Sequence, residues 1–188
     1  MKRTSISFAV AFVLAALLAL PAVGAKRERQ LDRYWVHPEL PSFGIGRIAM
    51  MPAVSFDNDL RSEKDVEAAI GQALKDTGFR WLSANSTRDQ LRGDSGKDSV
   101  LALYKAQVLN GGRIDSLAAP ALAARLACDA VLTVRVDRWE KHDLEWNQAG
   151  KPSTTVQLTT ALIDSTGTLL WSAAGSQVAD GPYYDPST

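Results

Sequence analysis

The sequence predicts an α/β sandwich of the α+β kind, with helices packed on a mixed sheet of about five strands in the order β-α-β-α-α-β-β-β. Three observations predict it. Ile48 to Val54 is apolar on both faces, as a strand covered from two sides is. Arg61 to Thr77 follows with Val66, Ile70 and Leu74 at helical spacing. Residues 130–174 hold three runs of alternating apolar and polar residues, an antiparallel meander.

Taken in order, Lys26 to Gly44 is charged, then carries Tyr34-Trp35, Pro38 and Pro41, and shows neither a helical nor a strand period. It is expected to be an extended tether (26–44) ahead of a single domain over 45–179. Ser62 is expected to cap the first helix, with Asp65 completing a capping box and Gly78 stopping it. Phe79 to Ser83 is a short strand. Ala84 to Lys97 reads as a polar loop with a helical turn at Thr87 to Leu91. A helix over about Asp98 to Leu109 puts Leu101, Tyr104 and Val108 on one face and ends at Asn110-Gly111-Gly112. Another lies between Ser116 and Ala127, where Pro120 suits a first turn. In the meander, Ala130, Leu132, Val134 and Val136 alternate with polar neighbours, as do Val156, Leu158, Thr160 and Leu162, then Leu169, Trp171 and Ala173. Asp164-Ser165-Thr166-Gly167 is a tight turn with glycine where positive φ is needed. Trp139 and Trp171 are expected to be largely buried.

The first 25 residues have the layout of an export signal. Lys2 and Arg3 precede an apolar run from Phe8 to Leu20, Pro21 ends it, and Val23-Gly24-Ala25 offers small residues for a signal peptidase. The run is shorter than the roughly 20 residues of a membrane-spanning helix. Cleavage near Ala25 is expected, giving a periplasmic or secreted protein without a transmembrane segment. No cysteine follows the apolar run, so a lipoprotein is not expected. The lone Cys128 follows Leu122 and Leu126 and reads as a buried thiol rather than a redox centre. Of the 21 basic residues, Lys2 and Arg3 lie in the leader, leaving 19 against 21 acidic ones, a net charge of −2. That balance gives no reason to expect nucleic acid or an anionic membrane as partner.

Most motif-like strings dissolve on inspection. Gly93-Asp94-Ser95-Gly96 has the letters of a serine-protease nucleophile loop, but the available histidines are His37, in the tether, and His142, in a polar hairpin loop. Gly44-Ile45-Gly46 precedes a strand, whereas a dinucleotide fingerprint must follow one and open a helix. Asp57-Asn58-Asp59 lacks the alternation of a calcium loop, and the histidines and cysteine have no metal-ligand spacing. Asn85-Ser86-Thr87 matches a glycosylation acceptor, too short a pattern to weigh. No catalytic, cofactor-binding or metal-binding residue is therefore assigned. Two features remain as partner-binding candidates. The hairpin loop from Glu140 to Ser153 carries His142, Leu144 and Trp146, and a tryptophan on a polar loop suits an interface anchor. The extended tail (180–188) carries Tyr183 and Tyr184.

Three segments together carry a resemblance. Ile48-Ala49-Met50-Met51-Pro52 leads through an acidic loop to a helix ending at Gly78. A later helix runs into Cys128-Asp129-Ala130-Val131-Leu132-Thr133-Val134-Arg135-Val136, and Leu162-Ile163-Asp164-Ser165-Thr166-Gly167-Thr168-Leu169-Leu170-Trp171-Ser172 closes the set. From about Gly46 to Val178 the chain resembles the periplasmic α/β domain shared by the curli-secretion lipoprotein CsgG, the penicillin-binding-protein activator LpoB and the amino-terminal domain of TolB. The resemblance implies a non-catalytic domain for envelope assembly, secretion or activation of a wall synthase. The chain departs from CsgG and LpoB in lacking the lipid-bearing cysteine, and it has no amphipathic hairpins for a pore. No functional residue carries over.

The expectation is thus an exported, non-catalytic interaction or assembly protein of the bacterial envelope, with an envelope protein as partner, no cofactor, and homo-oligomers possible. The alternatives are an envelope hydrolase with an unrecognised carboxylate site, and a periplasmic small-ligand binder with a pocket between helices and sheet. In the family it resembles, a further helix usually follows the last strand. Either the chain is therefore part of a longer protein, or a partner or second copy covers the meander's apolar face.

Overall fold

The computed structural model describes residues 27–75, 77–92, 99–142 and 152–180. Its strands are β1 (Arg27–Val36), β2 (Arg47–Met50), β3 (Val54–Ser55), β4 (Arg80–Leu82), β5 (Ala130–His142), β6 (Ser153–Asp164) and β7 (Leu169–Asp180). Its helices are α1 (Leu60–Lys75), α2 (Ala84–Arg92), α3 (Ser99–Gly111) and α4 (Ala119–Leu126), with a 3-10 turn at Leu40–Phe43. The seven strands form one mixed sheet in the order β1-β7-β6-β5-β2-β4, and β3 also pairs with β5. β2 runs parallel to β4 and β5; β5, β6, β7 and β1 are antiparallel neighbours.

Two of the strands go beyond the five expected. The apolar run from Ile48 to Val54 is split by Pro52, which has no N–H to give the ladder. Met51 donates to the Leu132 carbonyl at 2.9 Å, and pairing resumes where Val54 and Ser55 face Arg135 and Val136. The other addition is β1, in the segment expected to be a tether. It pairs antiparallel with β7 from Arg27 opposite Ala179 to Val36 opposite Trp171. It sits at the edge of the sheet, where one strand partner suffices, so no apolar alternation marks it.

The α1 cap also differs from expectation. Asp59 rather than Ser62 closes the helix: its Oδ1 accepts the Arg61 N–H at 2.9 Å and its carbonyl accepts the Glu63 N–H at 3.1 Å. Ser62 is buried and donates its hydroxyl to the Asp59 carbonyl. Gly78 adopts the left-handed φ of 77° that ends such a helix. The turn expected near Thr87 is a full helix, α2, because Ser83 caps it through a side chain that accepts the Ser86 N–H. Its buried face needs only Ala84, Thr87 and Leu91.

Helices cover both faces of the sheet. Val66, Ile70 and Leu74 of α1 pack with Ile48, Met50, Leu132, Val134, Leu162 and Trp171. On the other face Leu101, Tyr104 and Val108 of α3, with Leu122 and Leu126 of α4, pack with Ala49, Met51, Val131 and Ile163. Trp171 is buried as expected, whereas Trp139 is only half-buried at the margin of the first cluster. Leu40, Phe43 and Ile45 also pack on that cluster. The segment after β1 thus adds apolar side chains to that face of the sheet.

The Asp164–Thr168 turn is tightly determined. Asp164, buried, accepts from the Thr166 and Thr168 N–H groups at 2.9 and 2.7 Å. Gly167 has φ 91°, and a Cβ there would lie 2.2 Å from the Ser116 carbonyl oxygen.

Candidate functional site

Past the helices, β1, β7, β6 and the end of β5 continue as an antiparallel arm. The change shows within β5. Ala130 to Val134 are buried, Val136 is buried, and from Asp137 to His142 the residues are half-buried or exposed. Asp137 accepts from Arg135 Nε and from the Thr159 hydroxyl, which ties β5 to β6 where the helical cover ends. Arg135 also donates to the Val108 and Leu109 carbonyls of α3 and lies over the Phe56 ring at 5.0 Å.

Of the residues proposed from sequence, His142 lies on the arm. His142 is exposed at the end of β5, its Nε2 3.6 Å from Glu140 Oε2. Leu144 and Trp146, Tyr183 and Tyr184, and Ser95 lie outside the described residues. The register nevertheless relates the segments that lead to them: His142 faces Ser153, Ser153 faces Asp180, and Ala179 faces Arg27. The hairpin and the end of β7 therefore reach one and the same end of the sheet. Distance in sequence hid that meeting.

Along the outer strand, Tyr34 and Trp35 are 45% and 41% exposed, unusual for large aromatic residues. Trp35 and Phe43 both pack edge-on against His37, whose Nδ1 accepts the Glu39 N–H at 3.2 Å. His37 is thereby a packing residue. Among the described residues β1 has no strand on its outer side.

A second site lies beside the break between β2 and β3. Just beyond the carboxyl end of β2, helices from both faces of the sheet enclose a cleft of about 430 Å³. Such a position, where the chain leaves parallel strands toward opposite faces, is the usual ligand crevice of open α/β sheets. Its floor is a polar network around the β2–β3 break. Glu67 Oε1 accepts the Ala53 N–H at 2.9 Å and Arg88 Nη2 at 3.0 Å. Glu63 Oε1 accepts the Ser55 N–H at 3.1 Å, and the Tyr104 hydroxyl donates to the Pro52 carbonyl at 2.7 Å. Burial, with the neighbouring carboxylates of Glu67 and Glu63, pushes the Tyr104 phenol far above its usual range, so it stays a hydrogen-bond donor. Around the opening stand Lys64 of α1, Arg88 and Arg92 of α2, and Lys105 of α3.

The cleft is hard to see in the sequence because its residues come from three helices. One signal was present: Glu63, Glu67, Ile70 and Leu74 share a helical face, which puts two glutamates in line with the buried stripe. Cys128 is buried as expected, and burial raises its thiol above the ordinary value. No group of metal-ligating side chains occurs among the described residues, and no helix among them is long and apolar enough to cross a membrane.

Neither a protein-family model nor a curated protein sequence matches the chain. Solved structures do. Lipoprotein GNA1162 from Neisseria meningitidis aligns with a TM-score of 0.55 and 18% identity, over 74% of this chain and 87% of that one. The likeness shows a shared fold. A PelC dodecamer from Paraburkholderia phytofirmans aligns with a TM-score of 0.47 and 17% identity, over 86% of this chain and 87% of that one. The LpoB C-terminal domain from Salmonella enterica aligns with a TM-score of 0.38 and 14% identity, over 70% and 82%. The last two scores are too low to bear on this chain.

Proposed function

We propose that the chain is an exported, non-catalytic interaction or assembly protein of the bacterial cell envelope, which docks a protein partner along the outer edge of β1. The observation that carries this reading is the open outer edge of β1, with Tyr34 and Trp35 half-exposed upon it. An unpaired edge offers backbone N–H and C=O groups to an added strand, and flanking aromatic residues supply apolar anchors. The hairpin residues His142, Leu144 and Trp146 and the tail residues Tyr183 and Tyr184 would extend the same surface, since the segments leading to them reach the arm's end together.

Location follows the leader: cleavage near Ala25 would release a periplasmic or secreted protein, and with no cysteine after the apolar run it would carry no lipid. GNA1162, which shares the fold, is described as a lipoprotein, so this point needs its own measurement. Mass spectrometry of protein recovered from the producing cell should find a chain beginning near Lys26 without a lipid; a lipidated or uncleaved chain would refute this part.

The hydrolase alternative has less support, because the cleft's carboxylates are committed. Glu63 and Glu67 hold backbone N–H groups, and Tyr104 holds a carbonyl. Replacing His37, His142 and Ser95 together should leave biological activity intact apart from binding through the hairpin. To test docking, a photo-crosslinking residue at Trp35 should trap one discrete envelope protein. The same probe at Gln72, on the exposed side of α1, should not. Identical adducts at both positions, or none at Trp35, would defeat the reading.

A further inference from the structure

We propose that the cleft beyond β2 is a binding site for a small molecule bearing an anionic oxygen group, a phosphate ester or a carboxylate, on a short apolar body. The inference is independent of how the arm is used. Its volume of about 430 Å³ falls within the roughly 300–1,000 Å³ typical of small-molecule sites.

Charge distinguishes this place from the rest of the molecule. The chain as a whole is formally neutral, with 21 basic and 21 acidic residues. Around the cleft, however, Lys64, Arg88, Arg92 and Lys105 converge from three helices, with Glu63 the one acidic side chain among the described lining residues. Glu67 behind the floor pairs with Arg88 at 3.0 Å, so Lys64 and Lys105 supply the positive charge that a ligand would meet. Arginines here and elsewhere stand beside acidic partners, as in Arg88–Glu67, Arg61–Asp65, Arg135–Asp137 and Arg138–Glu140. Lys64 and Lys105 have no ion-pair partner among the described residues. Two ammonium groups brought to one opening repel each other, and an anion between them removes that cost.

The walls divide the labour. Glu67 and Asn85 each take one donor of Arg88, at 3.0 and 2.6 Å, which fixes the guanidinium and leaves further N–H groups of its five for a ligand oxygen. The Tyr104 hydroxyl is spent on the Pro52 carbonyl, and the floor carboxylates repel an anion, which keeps the ligand's oxygens at the lip beside Lys64 and Lys105. Pro52, Leu60 and Leu101 provide an apolar surface, and Leu60 is 64% exposed at the lip, where an apolar ligand body would cover it.

The test uses phenyl phosphate, benzoate and uncharged benzyl alcohol, titrated into the isotopically labelled full chain and followed by NMR. Phenyl phosphate or benzoate should saturate, moving the amide signals of Leu60, Lys64 and Ala102, and the affinity should fall as salt is added. Binding of phenyl phosphate alone identifies the phosphate-ester class; binding of benzoate alone identifies carboxylates; binding of both leaves the shared oxyanion as the recognised group. Lys64→Gln with Lys105→Gln should weaken binding about tenfold per ammonium, the worth of one charge-assisted hydrogen bond. The same double variant should keep its melting temperature, and Trp35→Ala should bind as the unaltered chain does. The salt dependence of the unaltered chain tests the idea even if the double variant fails to fold. The proposal is overturned if neither anion saturates, if benzyl alcohol binds equally well, if salt has no effect, or if a folded double variant binds as before. Crosslinking at Trp35 reads the arm separately, so the two proposals fail by different measurements.

Discussion

One strand passes through two different proteins, as it were. Over Ala130 to Val136, β5 lies between β2–β3 and β6, under helices on both faces. Over Asp137 to His142 it has β6 on one side and water on much of the rest. The residues change with the surroundings. Ala130, Val131, Leu132 and Val134 give way to Asp137, Arg138, Glu140, Lys141 and His142. The backbone ladder to β6 continues through both halves, with one irregularity between Val136 and Arg138. Hydrogen bonding is therefore common to both regions, and apolar burial is what separates them. The covered half should carry the stability, and the exposed edge and arm should carry the contacts.

The sharpest way to break that division is in the covered half. Ile70→Ala, removing a side chain that is 1% exposed between α1 and the sheet, should cost about 2–5 kcal/mol in chemical denaturation. A loss no larger than that of Val156→Ala, which is half-buried in the arm opposite Trp139, would mean stability is spread evenly. Next in size is Gly167→Ala. The added Cβ would meet the Ser116 carbonyl in a left-handed residue, and a loss of about 1–3 kcal/mol is expected by the same assay.

Tyr104→Phe should cost about 0.5–1.5 kcal/mol, the worth of its hydrogen bond to Pro52. It also carries a pH signature. Because the folded phenol is held above its unfolded value of about 10, the unfolded state ionises first. The contribution is full below that pH and declines as pH rises through and beyond it. The gap in stability between the unaltered chain and Tyr104→Phe should therefore narrow in alkaline solution; a gap constant from pH 8 to about 11 would contradict the buried donor. The smallest expected effect lies on the outer edge of β1. Trp35→Ala should change stability by no more than about 0.5 kcal/mol, while removing the crosslinked adduct. A large loss of stability there would make the aromatic edge a packing feature.

The same comparison explains what could be read from sequence. Burial writes a period into the residues, so the α1 stripe and the alternation in β5, β6 and β7 were legible, and with them the fold class. β1 was not, because an edge strand of the arm needs no apolar alternation, and Arg27 to Arg33 is almost wholly polar. The split at Pro52 was printed in the sequence but outweighed there by the continuous apolar run. Trp139 shows the converse error, an aromatic residue in a strand assumed to be covered when β5 had already left the helices. For the sites, His142 could be picked out as part of a hairpin loop. The cleft could not, since Glu63, Arg88 and Tyr104 meet only after three helices have packed.

The pairing of β1 with β7 has a consequence in time. Arg27 and Ala179, partners in the ladder, are separated by nearly the whole domain, and loop closure over such a span is among the slowest steps a chain can take. A chain that emerges from its amino end presents β1 long before β7 exists to receive it. The other contacts of the sheet can form in the meantime, so the outer strand is the natural last piece to dock. Until it does, the edge of β7 is as open as that of β1 afterwards, and a partner met early would find a different edge from one met late.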